Sequence, residues 1–268
     1  MSDAPRDADD GYFGESIAAD YDDPADEMNS AETVDPVVDV LARLAGSGRA
    51  LELAIGTGRI ALPLAARGVP VAGIDKSRAM VGRLRAKPGG PEIPVAIGDL
   101  TTTVIGGGFS LVYLVYNTIM NLTTQAAQVA CFHNAAAHLD PGGTFLIEVM
   151  APDLQRLPPG ETVHPFHVGH DRWGFDEYDI ARQGLTSHQL SIQDGQARHV
   201  SIPFRYVWPA ELDLMAQLAG LQLRERWGGW HGEPFTGQSR QHVSIWEKPL
   251  VAADRPGPRV GPDQNRGA

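Results

Sequence analysis

Apolar positions along the chain alternate between a helical period and short continuous runs. Val34, Val37, Val38, Leu41 and Leu44 share one helical face, so an amphipathic helix is expected over residues 33–45, closed at Gly46. Residues 49–55 form an apolar run that stops at Gly56 and reads as a buried strand. The same alternation continues. Helices are expected over 59–67, from an N-cap at Ser77 to Lys87, and over 125–139; strands are expected over 69–74, 93–97, 109–116 and 144–150. Strands alternating with helices predict an α/β fold with a doubly wound, Rossmann-like parallel sheet. Ligands of such sheets bind beyond the carboxyl ends of the strands, so the places to search follow Ile55, Ile74, Ile97 and Tyr116.

After Met150 the rhythm changes. Residues 152–169 hold four prolines and read as a long loop. Three alternating runs follow, 172–181, 185–193 and 197–208, separated by turn-like Gln183-Gly184 and Asp194-Gly195. They predict a small antiparallel sheet inserted after the fifth strand, a cover of about 152–208. A helix over 209–219 and strands over 221–227 and 242–248 complete a seven-stranded main sheet. Residues 1–11 and 249–268 lack apolar periodicity and are expected to be disordered, leaving 12–248 as the folded domain.

Composition narrows the class. Twelve acids and one base fall in residues 1–35, which accounts for the entire net charge of −11. The rest is balanced, without the basic footprint of a nucleic-acid binder. The acidic stretch reads as a solvated face, or as a segment that attracts a cation or seals a pocket. No apolar run reaches the roughly 18 residues of a spanning helix, and residues 1–10 lack the apolar core of a secretory leader. The single cysteine, Cys131, reads as a small core residue and suits a reducing, cytoplasmic setting.

Three features carry chemistry. In Glu52-Leu53-Ala54-Ile55-Gly56-Thr57-Gly58-Arg59 a strand runs into a Gly-x-Gly turn and a helix, where missing Cβ atoms let a ligand approach the backbone. Glu52, near the strand end, suits an ammonium or hydroxyl. Asp75 ends the next strand and suits both hydroxyls of a ribose, or simply starts a helix before Lys76-Ser77. Gly98-Asp99-Leu100 follows the third strand and suits an adenine amine, or is a plain Asx turn.

In this order the three features resemble the class I S-adenosylmethionine-dependent methyltransferases. Residues 51–58 are similar to the family's first motif, with Ala54 where a glycine is usual; Asp75 resembles its ribose-binding acid and Gly98-Asp99-Leu100 its adenine-contacting motif. Residues 139–143 resemble the turn before the family's fifth strand. Residues 12–22, with Tyr12 and Tyr21, resemble the N-terminal helix of its small-molecule N- and O-methyltransferases, and the antiparallel insertion resembles their substrate cover. The resemblance implies S-adenosylmethionine as cofactor, held by Tyr12, Tyr21, Glu52, Ala54, Gly56, Thr57, Gly58, Asp75, Lys76, Met80, Gly98, Asp99, Leu100, Tyr116 and Asn117. It implies in-line methyl transfer to a small-molecule nitrogen or oxygen.

Some relatives carry a histidine after the fourth strand where this chain has Asn121, so the base is sought elsewhere: His164, His167, Tyr116 and His231 are the candidates. His164, His167 and His170 also have metal-like spacing, but with few acids or cysteines nearby no metal is expected. Trp227, Trp230 and Phe235 either line an aromatic pocket or pack a sheet edge. Exposed strands of the insert offer a homodimer contact, and no nucleic-acid or membrane partner is expected. Two alternatives stay open: a protein that binds S-adenosylmethionine without transfer, and an NAD-dependent oxidoreductase, whose loose Gly-x-Gly-x-x-Ala pattern 56–61 also fits.

Overall fold

The computed structural model describes residues 10–23, 27–193 and 195–250, so Asp194 of the expected turn and most of both expected disordered ends lie outside the described residues. In chain order the elements are α1 (Glu15–Ala18), α2 (Ala31–Ala45), β1 (Ala50–Leu53), α3 (Ala61–Ala66), β2 (Val71–Asp75), α4 (Arg78–Arg85), β3 (Val95–Ile97), β4 (Phe109–Leu114), α5 (Gln125–His138) and β5 (Leu139–Met150). Then follow β6 (Val163–Val168), β7 (Arg172–Asp179), β8 (Gly184–Gln193), β9 (Gln196–Arg205), α6 (Pro209–Leu218), β10 (Gln222–Trp227) and β11 (Gln241–Glu247).

Local chemistry sets the helix starts. Ser30, Ser77 and Thr124 each accept a backbone N–H from the first turn of α2, α4 and α5, and Pro209 opens α6 where its missing N–H costs nothing. The continuous apolar runs become strands buried on both faces: every residue of β1 and β2 is buried. The main sheet has the order β10-β11-β5-β4-β1-β2-β3, parallel from β3 to β5 and closed by the antiparallel β11 and β10. Chain order reverses at β1, which lies between β2 and β4, and this is the crevice where an open α/β sheet takes its ligand. The expected turn at 140–143 survives as an irregularity inside β5, with Gly142 at φ +83°.

The insert is a four-stranded sheet, β6-β7-β8-β9, and this corrects the expected proline-rich loop and three strands. β6 escapes sequence reading because Pro165 interrupts its pattern. As an edge strand it tolerates a proline, and its pairing with β7 slips between Pro165 and His167. Tyr178, Leu185 and Tyr206 join the main core, anchoring the sheet to it. At its root the buried Arg205 pairs with Glu211 at 2.7 Å and donates to Gln128 and Gln183. Cys131 is buried in the core, where burial raises its thiol pKa. Among the described residues no helix is long and apolar enough to cross a membrane.

Candidate functional site

A cleft opens at the carboxyl ends of β1 and β4, lined among others by Tyr21, Glu52, Ala54, Gly56, Thr57, Arg59 and Tyr116. Its floor is the Gly-x-Gly turn. Ala54, Gly56 and Gly58 all have positive φ (59°, 56° and 78°). A side chain on Gly58 would drive its Cβ to 2.3 Å from Leu84 Cδ1, whereas at Gly56 the nearest neighbour, Met80 Cε, is 3.4 Å away. At Gly58 a side chain would have to displace the Leu84 tip and adopt a left-handed backbone, and Gly56 keeps the space above the turn open. Ala54, in the left-handed region, carries a strain of about 1–2 kcal/mol that a glycine would not.

Asp75 fastens the turn from the neighbouring strand. Its carboxylate accepts the Gly56 N–H at 2.6 Å and the Ser77 N–H at 2.8 Å, and its backbone carbonyl accepts the Gly98 N–H at 2.8 Å. Burial raises its pKa, and the Ser77 and Gly56 N–H groups oppose the rise. Glu52 is buried beneath the cleft and accepts the Tyr113 hydroxyl at 2.9 Å; burial lifts its pKa to about 8, with Tyr113 and Arg59 pulling against it.

Arg59 was not foreseen as a site residue. Its guanidinium lies 3.9 Å from the Tyr116 ring centroid and 5.2 Å from that of Tyr21, an aromatic clamp. Among the described residues it forms no ion pair within 4.0 Å. A sequence signal existed: a cation directly after the glycines sits at the start of a helix, where the helix dipole disfavours it.

The end of β4 holds the opposite wall. Tyr116 and Asn117 are both left-handed (φ 55° and 61°). Glu148 of β5 accepts the Tyr116 N–H at 2.6 Å, and Asn117 Oδ1 accepts the Met150 N–H at 2.6 Å. Burial lifts Glu148 to about 7 against the Tyr116 and Asn117 N–H groups, and lifts Tyr116 to about 12. The Tyr116 hydroxyl is buried with no hydrogen-bond partner among the described residues. Glu148 too was missed, although a lone acid in the apolar run Thr144–Met150 marks it.

Most described acids of the N-terminal segment are exposed, as a solvated face would be, but Asp10 and Asp22 fasten it as a strap. Asp10, expected in the fraying end, is buried and accepts the Arg78 and Ala79 N–H groups at the start of α4. Asp22 accepts the Thr57 hydroxyl at 2.6 Å and pairs with Lys87 at 2.8 Å, while Lys87 also donates to the Thr57 carbonyl. Glu15 pairs with Arg83, and Asp20 with Arg198 of the covering sheet at 3.6 Å. Tyr21 is thereby held over the cleft.

Several expected residues stand elsewhere. None of His164, His167 and His231 lines the cleft. His164 is half-buried opposite Asp176, and His167, His170 and His231 are exposed, so the three-histidine spacing does not converge. Lys76 is exposed, and Tyr12, Gly58, Asp75, Met80, Gly98, Asp99, Leu100 and Asn117 are not among the residues that line the cleft. Asp99 accepts the Thr101 N–H at 2.8 Å, an Asx turn, and Gly98 leaves room for Thr103, whose Oγ1 would lie 2.1 Å from an added Cβ. Trp227 and Trp230 pack against the apolar cluster at the sheet edge, and Phe235 meets His242 edge-on.

Comparison with known proteins adds the family signal. Residues 50–143 match a family model described as a methyltransferase domain. The chain is 27% identical over 201 residues to the cypemycin N-terminal methyltransferase of a Streptomyces species, covering 74% of this chain and 82% of that protein. The CcbJ methyltransferase structure from Streptomyces caelestis is 33% identical with a TM-score of 0.80, over 90% of this chain and 100% of that one. An amino pentose methyltransferase from Micromonospora echinaspora, solved with S-adenosylmethionine bound, shares the fold at 20% identity and a TM-score of 0.65, over 87% and 96% of the two chains.

Proposed function

Since the chain belongs to the class I S-adenosylmethionine-dependent methyltransferases, we propose that it methylates an amine nitrogen of a small molecule, residues 12–248 being the catalytic unit and 152–208 its cover. The observation that carries this reading is the cleft itself: it joins a carboxyl, a guanidinium and an open glycine turn beside a buried strand-end carboxylate.

That donor set fits the cofactor. Glu52 would face its ammonium, Arg59 its carboxylate and Asp75 its ribose hydroxyls, with the open backbone at Gly56 beneath and Tyr21 above. Bound, S-adenosylmethionine supplies a methyl group already activated on a sulfonium. The chain's own work is then to exclude water and align the acceptor lone pair with the bond that breaks. The strap, with Tyr21, and the Tyr116 wall serve the first task; the Tyr116 hydroxyl oxygen, without a partner among the described residues, suits the second by accepting an N–H of the amine.

An amine suits the site better than a phenol. A neutral amine needs no proton removed before attack, whereas a phenol needs a base. Tyr116, at about 12, stays protonated, and no histidine lines the cleft. Two proteins similar to this chain carry nitrogen in their names, the N-terminal methyltransferase above and a sugar N-methyltransferase from Streptoalloteichus. The test is radiolabelled methyl transfer from S-adenosylmethionine to panels of small amines and of phenols. Label entering amines supports the reading; label entering phenols alone, or none despite tight S-adenosylhomocysteine binding, overturns it.

Two further outcomes are expected here. Arg59→Ala should weaken S-adenosylhomocysteine about 10- to 100-fold, the size of a lost charge-assisted pair. It should leave 5′-methylthioadenosine, which lacks the carboxylate, within about twofold. Equal losses in calorimetry would place Arg59 elsewhere.

The second concerns pH. Glu52 and Glu148 titrate higher in the folded chain (about 8 and 7) than unfolded, where both sit at 4.5. Between pH 6.5 and 8 the unfolded chain therefore carries both charges while the fold resists them, so stability falls as pH rises. The loss is roughly 2–3 kcal/mol over that window. His242, lowered to about 4 by burial, is neutral in the fold there but half protonated in the unfolded chain at pH 6.5, so it offsets only about 0.4 kcal/mol of that loss. S-adenosylhomocysteine, by pairing its ammonium with ionised Glu52, should bind more tightly as pH rises from 6 to 8. Thermal melts and calorimetry across this range check both trends; a flat affinity profile would detach Glu52 from the ammonium.

A further inference from the structure

On the covering sheet three donors converge. His188 Nδ1 lies 3.4 Å from His199 Nε2, and Ser201 Oγ lies 2.9 Å from each of those nitrogens. Register and strand alternation place His188, His199 and Ser201 on one face, together with Phe175 and opposite to the face that bears Tyr178 and Leu185. The cluster is thus on the side of the sheet turned away from the main core, and none of its members lines the cleft.

Two ring nitrogens this close cannot both carry a proton inward. Without an ion, Ser201 bridges them by accepting from one and donating to the other. The alternative arrangement presents both lone pairs to one point. Donor separations of 2.9–3.4 Å leave room for an ion about 2.0–2.1 Å from each, the bond length of a zinc–imidazole contact. The surroundings favour that second arrangement. The His188 ring stacks on Phe175 at 4.8 Å, which limits its freedom. Its outer nitrogen, Nε2, is buried with no hydrogen-bond partner and faces Glu177 Oε2 at 3.5 Å. A proton on Nε2, directed at that carboxylate, leaves Nδ1 free to ligate, the carboxylate–histidine–metal relay of metal sites.

We propose that His188 Nδ1, His199 Nε2 and Ser201 Oγ form a binding site for a divalent transition-metal ion, Zn²⁺ or Cu²⁺ in class, that ties β8 to β9 in the cover. Imidazole nitrogens select these ions over Mg²⁺ and Ca²⁺. Among the described residues no three His, Cys, Asp or Glu side chains gather on one point, so water completes the shell and affinity lies in the micromolar range rather than that of a four-ligand structural zinc.

The experiment is calorimetric titration of ZnCl₂ into the tag-free, chelator-treated full chain, with MgCl₂ as the control ion. One Zn²⁺ per chain at micromolar affinity is expected, with no Mg²⁺ heat. His199→Ala should abolish the binding, Glu177→Gln should weaken it about tenfold as loss of an outer partner does, and His164→Ala should leave it unchanged. S-adenosylhomocysteine binding, unaltered in His199→Ala, shows that the variant folds. Zn²⁺ binding that survives His199→Ala, or that is absent from the parent chain, overturns the site and leaves a plain His–Ser–His hydrogen-bond chain.

Discussion

Asp75→Ala should raise the dissociation constant for S-adenosylhomocysteine by roughly 100- to 10,000-fold, because the two charge-assisted hydrogen bonds proposed from this carboxylate to the ribose would be worth about 1.5–3 kcal/mol each. The loss has a second source. In the folded chain this carboxylate already holds the Gly56 and Ser77 N–H groups, so alanine leaves both donors unpaired and frees the glycine turn from β2. Asp75→Asn separates the two effects. Its amide oxygen keeps one N–H bond and its volume fills the site, so the turn stays in place while the charge is gone; a loss of about 10-fold is expected there. Calorimetry reads the affinities and a thermal melt reads the fold. Affinity in Asp75→Ala within about threefold of the parent chain, with the melt unchanged, would remove Asp75 from the cofactor site.

That Asp75 is visible in the sequence at all reflects where local chemistry and topology coincide. A buried parallel strand announces itself by an unbroken apolar run, as in Val71–Asp75, and the polar residue that ends the run stands at the carboxyl edge where ligands bind. Gly56 and Gly58 are legible for the same reason: a tight strand-to-helix turn has few solutions, and two of its three left-handed positions are glycine. Most of the main sheet follows from that alternation, including the closing pair β10 and β11.

What stayed hidden depends on partners far away in the chain. Asp99 closes an Asx turn on Thr101 through one carboxylate oxygen, and the sequence could not separate that turn from a ligand contact because both use the same side chain. His164, His167 and His231 share the chemistry of a base, but residue type says nothing about whether a position in the cover, or in the loop after β10, points at the cleft. The strap is a more instructive case. Its acids look like a solvated run until Arg83, Lys87 and Arg198 are seen across from them, contributed by a helix, the loop behind it and the cover. β6 vanished because proline is judged against central strands, and an edge strand obeys a looser rule.

Glu148→Ala should cost about 3 kcal/mol of stability, the sum of an orphaned buried N–H and the cavity left by the side chain. The larger consequence is expected at the cleft wall. Tyr116 and Asn117 sit in the left-handed region, where each non-glycine residue costs about 1–2 kcal/mol. They stay there because β5 grips the turn three times, through the Glu148 carboxylate, the Glu148 backbone carbonyl, which accepts the Asn117 N–H, and the Met150 N–H. With the first grip gone the turn relaxes, and the Tyr116 ring leaves its place against Arg59. Glu148→Gln is the informative partner. It keeps an oxygen to accept the Tyr116 N–H, so the fold and S-adenosylhomocysteine affinity should hold within about threefold. It cannot ionise, however. In the parent chain Glu148 gains its charge near pH 7, which strengthens the bond to Tyr116 and the pull on Arg59, so turnover should rise through that pH. With an acceptor from the amine panel, Glu148→Gln should turn over about tenfold more slowly and lose the inflection near pH 7 while KM stays close to the parent value. A pH–rate profile unchanged from the parent would show that Glu148 serves the fold alone and does not position the wall.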